Sequence, residues 1–236
     1  MTLERYKVKK KIGIFIAARS DSSRLPGKHF KIINKKLNLS VIDYCIKRCK
    51  KSKIKDIFLC TSNNKNDDVF QKYCKKNKIK IFRGNKNNVL KRFIDCARKY
   101  DISDIIRITG DCPLVDLNII NKLLNKYKKK NYDYVCNVNP STYPDGLDVE
   151  IIKVSALKRS LIENTSNLNK EHVTLHIRKS NKFKKYNMTF NKKNLSKIRW
   201  TVDTENDLRL VKKIVMKFHP KIHFGWQTIY KLNKFN

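Results

Sequence analysis

Apolar positions along the chain follow two alternating rhythms. Short runs, Ile12-Gly13-Ile14-Phe15-Ile16-Ala17-Ala18, Ile57 to Cys60, Ile79 to Phe82, Ile105 to Thr109 and Tyr134 to Cys136, have the length and composition of strands. The first is apolar on both sides of its pleat and reads as buried on both faces. Between the runs lie stripes with helical spacing. Val41, Ile42, Cys45, Ile46 and Cys49 fall at i, i+1, i+4, i+5 and i+8. Val69-Phe70-Tyr73-Cys74, with Asp67 placed to cap it, Val89-Leu90-Phe93-Ile94-Ala97 and Leu117-Ile119-Ile120-Leu123-Leu124-Tyr127 repeat the pattern. Strands alternating with helices imply βαβ units, hence an α/β domain: a mostly parallel sheet with helices on both faces and right-handed crossovers.

From Asn139 the rhythm changes. Pro140, Pro144 and Gly146 punctuate a loop, Leu147 to Ile151 alternates like a half-exposed strand, and Ser155 is placed to cap a helix through Leu161. The polar stretch Glu163 to Lys170 leads into a helix with Glu171-His172, and Phe183 to Phe190 reads as an antiparallel strand. Residues 139–195 are therefore expected as a small insertion in a single domain spanning 12–236, one that either covers the site or makes an oligomer contact. The first rhythm resumes with a strand from Ile198 to Val202, then Asp203, and a helix carrying Leu208, Val211, Ile214, Val215 and Phe218. Asp203-Thr204 can cap that helix, with Asp207 completing a capping box.

In an open parallel sheet, ligands bind outside the carboxyl ends of the strands. That rule gathers Arg19 to Lys28, Arg83-Gly84, Gly110-Asp111 and Asp203 at one edge. Arg19, Arg24 and Lys28 supply positive charge, Ser20, Ser22 and Ser23 supply donors, and Gly27 lets the backbone turn around an anion, which is the inventory of a triphosphate loop. It is not a Walker loop: the first glycine is missing and His29 stands where Ser or Thr would be, and no GxGxxG fingerprint is present. Asp111 and Asp203, opposite the cationic loop, can hold magnesium between carboxylates and substrate phosphates.

The net charge of +35 suggests nucleic acid, but the 55 basic residues comprise 43 Lys and 12 Arg, and the lysines spread over nearly every expected surface helix. Nucleic-acid binding is therefore not expected as the main function. Seven cysteines, odd in number and mostly within apolar stripes, read as buried reduced thiols with neither disulfide nor zinc site. No apolar run approaches the roughly 20 residues of a membrane span, and the basic leader MTLERYKVKKK lacks the shape of a signal peptide, so a cytoplasmic protein is expected.

Five motifs occur in consistent order: Ala18-Arg19 through Arg24-Leu25-Pro26-Gly27-Lys28, Arg107-Ile108-Thr109-Gly110-Asp111-Cys112-Pro113-Leu114, Tyr143 to Glu150, Glu171-His172-Val173-Thr174, and Arg199 to Thr204. Together they resemble the sugar-acid cytidylyltransferases, most of all the spore coat polysaccharide biosynthesis (SpsF-type) branch related to the acylneuraminate and 3-deoxy-manno-octulosonate enzymes. The resemblance implies a three-layer nucleotidyltransferase fold of the glycosyltransferase-A-like kind, CTP and an acidic sugar as substrates, magnesium as cofactor and a homodimer. It implies that Arg19, Arg24 and Lys28 grip the triphosphate and that backbone around Ala17 and Ala18 faces the base, with Ser23, Arg83 and Gly110 also on the nucleotide side. Arg19, Lys28 and Asp111 would carry catalysis, Asp111 and Asp203 the metal, and Asp145, Asp148, Glu150 and His172 the acceptor pocket. Asn87-Asn88 departs from the pattern, since relatives of this branch often carry acidic residues there. Two rival readings are a glycosyltransferase with Asp148-Val149-Glu150 as its metal motif and a basic nucleic-acid-binding protein without catalysis.

Overall fold

The structure, a computed structural model, describes residues 10–232, so nearly all of the basic leader lies outside the described residues. In chain order the elements are β1 (Ile12–Ala17), β2 (Ile32–Asn34), β3 (Leu39–Ser40), α1 (Val41–Lys50), β4 (Asp56–Ser62), α2 (Asp68–Lys76), β5 (Lys80–Gly84), α3 (Val89–Lys99), β6 (Asp104–Thr109), α4 (Leu117–Lys129), β7 (Tyr134–Cys136), β8 (Glu150–Lys153), α5 (Val154–Glu163), α6 (Asn167–His172), α7 (Leu175–Lys179), β9 (Lys185–Asn187), α8 (Glu205–Lys217) and α9 (Trp226–Leu232).

Seven strands form one sheet in the order β5-β4-β1-β6-β8-β7-β9, and β2 pairs with β3 separately. The apolar β1 runs parallel to β4 on one side and β6 on the other, Ala17 lying opposite both Cys60 and Thr109. Its alternation feeds two cores. Ile14 and Ile16 join Ile106 and Ile108 against the buried faces of α1, α4 and α8, while Phe15 joins Phe58, Ile105 and Phe93 of α3 on the other face. Phe15 meets the edges of Phe58 and Phe93 with ring centroids 5.3 and 5.6 Å apart. Burying each such side chain contributes about 1.5–3 kcal/mol, so the strand that opens into the Arg19 to Lys28 loop is among the most strongly held parts of the chain. The expected α/β sheet with helices on both faces is what forms.

Differences begin at Asn139. β8 does not lie half-exposed at a margin: it sits between β6 and β7, antiparallel to both, with Leu147, Val149, Ile151 and Ile152 fully buried. The stretch from Phe183 yields only the short β9, and it is parallel to β7, so β8 is the single reversed strand of the sheet. Ile198 to Val202 forms no strand. Its backbone pairs instead with a loop, Trp200 N–H donating to the Asp145 carbonyl and Val202 N–H to that of Asp111. The alternation there records the burial of Trp200 and Val202 beneath the loop.

Caps largely follow the sequence. Ser40 with Asp43 and Thr204 with Asp207 form full capping boxes on α1 and α8. Ser155 falls inside α5, which begins one residue earlier without a side-chain cap. Asp67 makes no cap bond to α2, because its carboxylate is engaged elsewhere. All seven cysteines are buried and free.

Candidate active site

The carboxyl ends of β1 and β6 open into a cleft of about 340 Å³. Its floor is Ala17, Ala18, Arg107 and Thr109; the loop from Arg19 to His29 forms one wall and Val89, Arg92, Glu171 and His172 another. Gly110 lies just behind the floor, where a Cβ would come within 3.1 Å of Ala18 Cβ and 3.2 Å of the Ala17 carbonyl. Glycine is therefore needed for β6 to close against β1 at the cleft.

The phosphate-type loop is anchored at both ends. Ser20 donates its backbone N–H to Asp67 Oδ1 at 2.8 Å and its hydroxyl to the same oxygen, while Ser62, at the end of β4, donates N–H and hydroxyl to Oδ2. Burial alone would raise the Asp67 carboxyl; these donors outweigh it and hold the pKa down at about 2. At the far end Gly27 takes φ 65°, a conformation open to glycine, and starts the 3-10 turn Lys28–Phe30. That turn buries Lys28 and sends its ammonium between two carboxylates, 2.5 Å from Asp111 Oδ2 and 2.6 Å from Asp203 Oδ1. Burial would lower the lysine, yet the two carboxylates raise it; burial would raise Asp111, yet Lys28 lowers it. Lys28 and Asp111 are therefore each held in the charged form. His29, beside Lys28 and buried against Phe70, is pushed by burial down to about 4 and stays neutral.

Asp203 does not end a sheet strand, but it reaches the site predicted for it. Arg24 approaches it at 3.2 Å, and Arg199 joins it to Asp145 and, at 3.3 Å, to Asp207. Asp145 thus supports Asp203 from behind, taking the Thr201 hydroxyl at 2.8 Å, and does not line the cleft. Among the described residues no group of three or more His, Cys, Asp or Glu side chains is arranged to hold a metal. Two carboxylates whose oxygens share one ammonium nevertheless make a seat for a cation, and two hard oxygen ligands with room for substrate phosphates is the donor set magnesium prefers.

Of the residues expected at the acceptor, only His172 lines the cleft. Val173, which follows it, is fully buried with φ 59°, and Thr174 N–H returns to the His172 carbonyl at 2.6 Å. This is a γ-turn with positive φ, costing a β-branched residue about 1–3 kcal/mol, and it fixes Glu171-His172 over the cleft. Glu171 meets Arg19 across the mouth at 3.7 Å. Glu150 lies buried behind the floor, taking Arg107 at 2.9 Å, the Tyr134 hydroxyl at 2.8 Å and the Thr174 hydroxyl at 3.0 Å. With both oxygens committed, it does not supply the metal motif of a glycosyltransferase. Asp148 is driven up to about 7, by burial first and then by Asp145 and Glu150. Arg83 is turned away, bonded to the Ser62 and Asn64 carbonyls, Gln71 and Asp68.

The structure adds Arg92 and Arg107 to the cleft. Arg92 is almost wholly buried and donates to the Asn85 and Lys86 carbonyls. A signal for it was present in the sequence: it occupies the apolar stripe of its helix, three residues after Val89.

A cytidylyltransferase family profile matches residues 13–227. The chain is 30% identical over 212 residues to the spore coat polysaccharide biosynthesis protein SpsF of Bacillus subtilis, covering 86% of this chain and 85% of that protein. A cytidylyltransferase structure from Leptospira borgpetersenii superposes with a TM-score of 0.90 at 29% identity, over 97% of this chain and 95% of that one. A CMP:2-keto-3-deoxy-manno-octonic acid synthetase complexed with CTP shares the fold, with a TM-score of 0.61 at 16% identity over 88% of this chain and 99% of that one.

Proposed function

The chain belongs to the cytidylyltransferase family of CTP-dependent nucleotidyltransferases, and on that premise we propose that it transfers CMP from CTP to an acidic sugar, releasing pyrophosphate, for a surface polysaccharide or glycan. The observation that carries the reading is the Lys28 ammonium held between Asp111 and Asp203 at the foot of an anchored arginine and serine loop. Such a site places cationic groups beside a cation seat, as transfer of a nucleotidyl group from a triphosphate requires.

In the proposed reaction a hydroxyl of the acceptor attacks the α-phosphorus of CTP in line. The new phosphorus–oxygen bond forms as the bond to the β-phosphate bridge breaks, pyrophosphate leaves, and the hydroxyl proton passes to solvent. Arg19, Ser23 and Arg24 hold the β- and γ-phosphates, and the Ala17-Ala18 backbone supports the nucleoside. Lys28 is displaced from the carboxylates toward the phosphates. Asp111 and Asp203 hold magnesium, which when bound neutralises charge on the phosphate oxygens. Because positioning and neutralisation supply the rate, no side chain needs to become a covalent nucleophile. His172 faces the acceptor. A homodimer contact through residues 139–195 belongs to the same reading; Ile162 and Leu168 there are 79% and 55% exposed. The proposed compartment is the cytoplasm, where CTP is available.

The test is a pyrophosphate-release screen of CTP, UTP and GTP against a panel of acidic sugars with magnesium. Turnover confined to CTP and a carboxylate-bearing sugar is expected, and turnover only with an uncharged acceptor would overturn the acceptor class. Asp111→Asn is expected to abolish release while leaving the circular dichroism spectrum unchanged; an active variant would remove Asp111 from the metal role.

A further inference from the structure

An enzyme for acidic sugars needs a cation that reads the acid, yet three of the four residues expected at the acceptor, Asp145, Asp148 and Glu150, are themselves acids. Only the fourth, His172, lines the cleft. The loop cations Arg19, Arg24 and Lys28 are taken up by the phosphates of CTP in the reading above. The acid must therefore be met by another group.

Arg107 is that group by place and by geometry. Alternation along β6 sends Ile106 and Ile108 to one core and Ile105 to the other, so Arg107 shares the Ile105 face with Thr109 and forms part of the cleft floor. It lies on the side of β1 where β6 pairs with β8, away from β4 and β5, and opposite Glu150 in register. Glu150 takes only Nη1, at 2.9 Å. Nε is buried without a hydrogen-bond partner, and no hydrogen bond from Nη2 joins it to any described residue. Nη2 carries the N–H groups left for a ligand in the cleft, and a charge-assisted hydrogen bond from them to a carboxylate is the contact this placement allows. Glu150, held in turn by Tyr134 and Thr174, thus fixes the orientation of the guanidinium while leaving Nη2 unmet.

We propose that Arg107 is the specificity-determining residue for the acceptor, binding the carboxylate of the sugar acid through Nη2 while Glu150 holds it by Nη1. The inference rests on the acidic-sugar reading above. It explains why a buried Arg–Glu pair stands in the floor of the site. It also gives His172, which lines the same cleft, a complementary place beside the sugar hydroxyls.

The experiment uses the full chain and the acceptor that the wild-type enzyme turns over, with that acceptor's primary amide as the uncharged comparison. Arg107→Lys keeps the charge for Glu150 and loses Nη2. Its kcat/KM for the acid is expected to fall roughly 100-fold, with the KM for CTP within about twofold and the preference for acid over amide largely lost. The paired variant Arg107→Met with Glu150→Gln removes charge from both partners together and guards against a folding failure; it is expected to give the same loss of preference with a cooperative melt. An Arg107→Lys enzyme that keeps its preference for the acid, or whose CTP and acceptor KM values rise together, overturns the proposal while leaving the acidic-sugar reading intact. A wild-type enzyme that turns over no carboxylate-bearing sugar overturns that reading first, and Arg107 with it.

Discussion

Asp148 stands near two other carboxylates, Asp145 and Glu150, and its carboxyl titrates at about 7 where a free aspartate titrates at 3.8. The folded protein therefore keeps a proton there that the unfolded chain has released. Between pH 3.8 and about 7 the folded state binds more protons, so this group's contribution to stability falls as pH rises through that window and is lowest above it. Asp148→Asn carries no such penalty. Its melting temperature is expected to match that of the wild type near pH 4 and to exceed it at pH 8, by about 2–4 kcal/mol of stability at roughly 1.4 kcal/mol per pKa unit. Equal differences at both pH values, measured by thermal melts, would show that the carboxyl ionises normally.

At the scale of elements, the phosphate loop is positioned less by its own residues than by Asp67, which ties Ser20 to Ser62 at the end of β4. Asp67→Ala unpins the loop without touching any group proposed to meet the phosphates. The expected effect is a rise of about tenfold in the KM for CTP with kcat at saturation nearly unchanged, since uniform binding and not transition-state contact is lost; steady-state kinetics against CTP checks it. Asp67 also shows where the sequence reading was misled. An acid before an amphipathic stripe has the look of a cap, and nothing in the local pattern reveals that a serine from another loop claims its oxygens. The same limit explains Ile198 to Val202. Period-two alternation records which side chains are buried, and Trp200 and Val202 are; it does not record which backbone groups pair, and here the partners are a loop and the Asp111 carbonyl. The run from Ile12, the four amphipathic helices through Tyr127 and the meeting of Lys28 with Asp111 are legible because each is set by local periodicity plus one topological rule, whereas Asp203 reaches them from a loop and not from a strand end. Arg107 was visible only as one residue of a motif, because its function depends on which of its nitrogens Glu150 occupies.

At the scale of the molecule, the sheet is parallel everywhere except at β8, which runs backwards between β6 and β7. Phe183 to Phe190 reads in the sequence as an antiparallel strand; instead β9 extends the sheet in the common direction. The chain carries a formal net charge of +35, which raises the local concentration of anionic substrates, so kcat/KM for CTP is expected to fall with ionic strength more steeply than for a neutral enzyme. The placement of β8 bears on how enzymes of this architecture can diversify. Residues 139–195 cannot be exchanged as a cassette, because lifting them out breaks the sheet down its middle and leaves Arg107 without Glu150. A chimera taking this stretch from a relative with another acceptor is expected to misfold, whereas single exchanges at positions 107 and 172 should be tolerated. New acceptor preferences in such a scaffold would then be acquired by small steps in side chains, with the backbone inherited whole.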